Sequence, residues 1–250
     1  MTAKELAKKQ SEIDAAVRHQ AKKCGLLVNG AEPIRDGIAD EEGYLKSRLK
    51  VAWVLKEPYD DFDEKGMPCG GGWSLVKDCF LKHDKNWVRK DDHKEWTNRV
   101  WQMITYVMYG FRYGKHREEM DMIRDNPSMM DEIKSIAWIN VSKMPAHKNS
   151  CNGNYRVLYE NVWKEVVKKQ FEVYAPDAII FGNTFNCFKA SYGSSLVKVS
   201  SNDLVVHYRN GSQHLLDTYH PGCRCKRTTY VNALIDMLNE IANFDGAHNY

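Results

Sequence analysis

Four short apolar runs, each bounded by turn or breaker residues, set the tightest limit on how this chain folds. They are Val51-Ala52-Trp53-Val54-Leu55, Ile136-Ala137-Trp138-Ile139-Asn140, Ala178-Ile179-Ile180-Phe181-Gly182 and Leu215-Leu216-Asp217-Thr218-Tyr219. Each is too brief for a helix. The first three are almost unbroken hydrophobics, the pattern of strands covered on both faces of a parallel sheet. Segments with apolar residues at helical spacing separate or flank them: 4–23, 96–109, 159–174 and 230–244. A shorter helix is expected near 41–46, and 196–199 with 204–209 reads as a small hairpin before the last core strand. This alternation predicts an α/β fold, a three-layer α/β/α sandwich around a central four-stranded parallel sheet. One domain over residues 1–250 is expected, with the first helix packed on it.

Such a sheet also predicts where function sits. Ligands of open parallel sheets lie outside the carboxyl ends of the strands. The residues just past each run are Lys56-Glu57-Pro58-Tyr59, Asn140-Val141-Ser142, Asn183-Thr184 and His220-Pro221-Gly222. A carboxylate, an amide and an imidazole would converge there.

Composition narrows the classes. Hydrophobic residues make up 43% and charged residues 28% of the chain, ordinary values for a globular protein with a sizeable core. No apolar run approaches the ~18–20 residues that span a bilayer, so no membrane partner is expected. The first residues lack the apolar core of a signal peptide. Seven scattered cysteines, with no secretory signal, read as reduced thiols in the cytoplasm. Cys223-Arg224-Cys225 has the wrong spacing for a zinc knuckle, and neither metal nor cofactor is expected. The net charge of +3 permits nucleic-acid binding without requiring it. Distribution says more: residues 223–227 hold Arg224, Lys226 and Arg227, while Lys143, His147 and Lys148 form a second group whose default reading is a solvated surface. Asp60, Asp61, Asp63 and Glu64 read as solvated loop charges.

Taken in order, the strand ends resemble the motifs of the uracil-DNA glycosylase superfamily, over roughly residues 50–225. Leu55-Lys56-Glu57-Pro58-Tyr59 resembles the family's first loop, whose acid orients the attacking water. Gly71-Gly72-Trp73-Ser74-Leu75 stands where the family places an aromatic that stacks on the extruded base. Trp138-Ile139-Asn140 is similar to the strand whose asparagine reads the base edge, and Tyr219-His220-Pro221-Gly222 to the His-Pro-Ser loop. The resemblance implies a monofunctional DNA glycosylase, expected as a monomer. Glu57 and His220 would be catalytic, and Tyr59, Trp73 and Asn140 would hold the base. Arg224, Lys226 and Arg227 would grip DNA phosphates. Departures are Glu57 for the commoner aspartate, Lys56 for Gln or Glu, Leu55 for Gly, Gly222 for Ser, and no apolar wedge after His220. Two other readings stay open: a binding relative that has lost water activation, and a hydrolase of free nucleosides.

Overall fold

The computed structural model describes residues 1–81, 98–146 and 154–246, apart from the side chains of 154 and 244–246. In chain order the elements are α1 (Ala3–Lys23), β1 (Gly37–Ile38), α2 (Glu41–Lys46), β2 (Val51–Leu55), α3 (Arg99–Tyr113), β3 (Ala137–Asn140), α4 (Asn154–Leu158), α5 (Lys164–Tyr174), β4 (Ala178–Gly182), α6 (Lys189–Tyr192), β5 (Val197–Ser201), β6 (Val205–Asn210), β7 (Gln213–Thr218) and α7 (Arg227–Gly246). His147, Lys148, Cys151 and Trp96 lie outside the described residues.

The sheet is mixed and has seven strands, in the order β1-β3-β2-β4-β7-β6-β5, rather than the four expected. The four apolar runs form its centre: β3, β2, β4 and β7 pair in parallel. The predicted hairpin does not stand apart. Its second strand pairs antiparallel with β7 from Val205 to Asn210 and so extends the sheet. At the other edge, two residues of β1 add antiparallel to β3.

Alternation along β2 divides the core. Val51, Trp53 and Leu55 face one cluster with α3 and α7. Ala52 and Val54 face the other, with α1, α4 and α5. On the first face, truncating Trp53 to Ala would cost ~3–5 kcal/mol and truncating Leu55 ~2–5 kcal/mol.

Helix ends follow local chemistry. At α1, Thr2 and Glu5 form a reciprocal capping box. At α3, the Asn98 side chain accepts from the N–H groups of Val100 and Trp101. That cap starts the helix at Arg99, and it runs to Tyr113, beyond the predicted end at 109. The segment expected as one helix over 159–174 begins earlier, in α4, and passes through a π turn, Tyr159–Trp163, into α5.

Candidate active site

The two central loops are fastened to each other before any catalytic geometry is considered. Leu55 and Asn140 are register partners at the ends of β2 and β3. Past them, the N–H groups of Val141, Ser142 and Ala146 donate to the carbonyls of Leu55, Lys56 and Pro58, at 2.8, 3.0 and 2.9 Å. Glu57 therefore sits, half-buried, in a backbone pinned on either side. Tyr59 is 52% exposed and stands at the rim of this edge.

Asn140 is 3% exposed. Its backbone N–H donates to Asp36 Oδ2 at 2.6 Å, and its Oδ1 accepts a long 3.4 Å bond from the Trp138 indole. Its Nδ2 finds no partner among the described residues. An amide buried in this way costs ~1–3 kcal/mol unless something accepts from it.

Asp36 is the hub behind Asn140. It also accepts from Lys143 Nζ at 2.7 Å and Gln170 Nε2 at 2.7 Å, and Gln170 Oε1 accepts from Lys143 at 2.8 Å. Lys143 is 0% exposed, so it does not belong to the surface group in which its sequence neighbours placed it. Burial pushes its ammonium below the usual range, and Asp36 opposes that. Nothing in the sequence marks Asp36 as the partner, because the pair is 107 residues apart.

Trp73 is half-buried against the α3 and α7 cluster. Its indole donates to Asp60 Oδ2 at 2.6 Å, and the Gly71 N–H donates to the same oxygen at 2.6 Å. Asp60 is thus a tether between the Glu57 loop and the Trp73 loop, not the solvated charge expected. Gly71, at φ +98°, has no room for a side chain: a Cβ would lie 1.7 Å from the Glu32 carbonyl oxygen. The same backbone packs against Pro145, at 3.2 Å from that position. The aromatic loop therefore lies over the loop that follows Asn140.

His220 reaches this group through another glycine. A Cβ on Gly182, the last residue of β4, would meet Leu55 Cδ2 at 2.7 Å and Pro221 Cδ at 3.1 Å, with His220 Cα at 3.7 Å. Because Gly182 lacks that atom, the loop after β7 folds across the end of β4 toward β2. The Gly222 N–H donates to His220 Nδ1 at 3.1 Å. Burial first, and the Lys56 cation second, push the His220 pKa down to about 4. The ring is neutral at pH 7, and with Nδ1 accepting, its proton resides on Nε2. The imidazole is a preset hydrogen-bond donor.

The basic stretch divides. Arg224 and Lys226 are exposed. Arg227 turns inward, donating to Gln102 Oε1 at 2.9 Å with its guanidinium 5.7 Å from the Tyr106 ring centre. Arg99, the first residue of α3 and without any local sequence signal for such a role, donates to the carbonyls of Cys223 and Cys225 at 3.1 and 2.9 Å. It anchors the turn after His220. Cys223 and Cys225 are free thiols. Among the described residues, no group of three or more His, Cys, Asp or Glu side chains is placed to hold a metal ion.

The loops bearing Glu57, Asn140, Trp73 and His220 thus form one connected set at the carboxyl edge. No protein-family model and no curated protein matches the sequence. Among the described residues, no helix is long and apolar enough to cross a membrane.

Proposed function

We propose that the protein is a DNA glycosylase of the uracil-DNA glycosylase type, which hydrolyses the bond between a flipped-out base and its deoxyribose. The observation that carries this reading is the histidine loop seated over Gly182. It seats His220, a neutral imidazole whose Nδ1 is taken by the Gly222 N–H, beside the end of β4 and close to Leu55 of β2, where the strand order reverses and open α/β sheets hold their ligands.

Each step asks for one group of the site. As the C1′–N bond breaks, its electron pair goes to the base, and negative charge gathers on the carbonyl beside that nitrogen. A preset donor such as His220 Nε2–H stabilises that charge without first losing a proton to solvent. Positive character left on the sugar calls for a fixed carboxylate, and Glu57 would also orient the water whose oxygen attacks C1′. That water loses one proton as the new C–O bond forms, and the departing base gains one. Asn140, with an unpartnered Nδ2, supplies a donor for a ring carbonyl of the base and disfavours an exocyclic amino group at that place. Trp73, tethered by Asp60, is the stacking platform, worth ~1–3 kcal/mol per base. Tyr59 stands at the mouth, and Arg224 and Lys226 are free to meet phosphates. The fold assignment to that superfamily, and action as a monomer in the cytoplasm on DNA, belong to the same proposal.

The test is excision from single- and double-stranded oligonucleotides containing uracil, read as alkali-cleavable abasic product. Product is expected from the parent chain, with losses of ~10²–10³-fold in Glu57→Ala and His220→Ala. Absence of product, or product indifferent to both substitutions, refutes the reading.

A further inference from the structure

A hollow of about 850 Å³ lies between α1 and the far side of the loop that carries Trp73. Its volume falls in the range of small-molecule sites, and it is open to solvent on one side. Four permanent cations line it: Arg18, Lys22, Arg35 and Lys77, with His19 beside them. Against these stand two carboxylates, Asp14 and Glu32. Glu32 is already matched, since Arg18 grips it through Nε at 3.0 Å and Nη2 at 2.7 Å. Arg35 spends an N–H on the Gly72 carbonyl at 3.1 Å, a contact that orients the guanidinium without neutralising it. Asp14 is still mostly ionised at pH 7 and opposes an anion, so the three remaining cations outnumber one carboxylate. Burial, and then Asp36, push its carboxyl up to about 6, while Lys77, Arg35 and Lys143 pull the other way.

We propose that this hollow binds phosphoryl groups, as a pyrophosphate-like polyanion. A single carboxylate ligand would satisfy only one of the remaining cations. Two linked phosphoryl groups bring enough charge and enough acceptor oxygens for Arg35, Lys22 and Lys77 together. The same chemistry is carried by a free phosphorylated molecule or by successive phosphates of a nucleic-acid strand. Gly72 lines the hollow one residue from Trp73, so a strand held here would run beside the proposed base platform.

Lys22 and Lys77 are exposed, so replacing both with alanine leaves the core intact. Isothermal titration of the full chain with sodium pyrophosphate is expected to show saturable binding that weakens at least tenfold in the Lys22→Ala, Lys77→Ala double variant. A twelve-residue oligothymidylate, which contains no uracil, identifies the source. If its affinity also falls, and the slope of log affinity against log salt shrinks by about 1.4, the ligand is a nucleic-acid backbone. If only pyrophosphate binding falls, it is a free phosphorylated molecule. No pyrophosphate binding by the parent chain, or equal binding by the double variant, overturns the proposal. Neither titration depends on excision, so this site and the glycosylase reading stand or fall separately.

Discussion

Two histidine environments at opposite ends of the parallel quartet show the same depressed basicity for different ends. At the amino end, His207 on β6 and His214 on β7 stack with ring centres 5.1 Å apart, and His207 Nε2 lies 2.9 Å from His214 Nδ1. Burial, then His214, then Arg209 hold His207 at about 4. The other His207 nitrogen faces Ser200 Oγ at 3.5 Å, so both ring nitrogens are turned toward protein. Beyond the carboxyl end, His220 is also held at about 4, yet only its Nδ1 is spoken for by the turn. A perturbed pKa therefore does not by itself distinguish a structural ring from a working one. What separates them is whether the second nitrogen is used up by the fold.

The strongest way to break this contrast is to delete each ring. His220→Ala is expected to cost ~10²–10³-fold in excision while the unfolding midpoint in urea moves little. His214→Ala is expected to lower stability by ~2–3 kcal/mol, leaving excision by the folded fraction close to the parent rate. The reverse pattern would exchange the two roles. Gly182→Ala sharpens the point without touching a ring. Its new methyl would crowd Leu55 and push Pro221 by a few tenths of an ångström, so excision should fall by up to ~10-fold at a stability cost of ~1–3 kcal/mol.

Acid titration addresses both rings together. Each folded pKa, about 4, lies below the ordinary 6.5, so the unfolded chain binds protons first as the pH falls. Their contribution to stability is whole above about 6.5 and declines from there toward 4. Urea titrations at pH 7, 5.5 and 4 should show that decline, on the order of 2–3 kcal/mol for His207. In His207→Leu the slope should be shallower. A stability that rises on acidification would contradict the burial of both rings. The smallest effect is electrostatic: Arg224→Ala should reduce the salt slope of oligonucleotide binding by about one, and Arg227→Ala should leave it unchanged.

The parallel quartet was legible because strands covered on both faces must be apolar at successive positions, and the runs ending at Leu55, Asn140 and Gly182 are. The edges were not. β1 is two residues long and contains Gly37, too short to show any period, and the pairing of β6 with β7 is decided by register across the sheet. Among site residues, His220 stood out because Pro221 and Gly222 mark a turn at a strand end. The supports were silent. Asp36, Asp60 and Arg99 act on partners made near only by folding, and local sequence cannot distinguish such a residue from a solvated charge. Lys143 and Arg227 misled for the same reason: each belongs to a basic cluster by sequence, yet Lys143 is buried and Arg227 is half-buried against Gln102.

The bare end of β4 has a consequence for how such a protein could change its preferences. Position 182 lies near the middle of the strand order yet contributes no reactive atom; its role is to let neighbours close in. A larger residue there would press on Leu55 and on Pro221 in the turn that carries the imidazole, which leaves little room for chemical variety at the end of the third parallel strand. New selectivity has to be written into the segments after β2 and β3, whose backbones are laced together, and a substitution in one will be felt in the other.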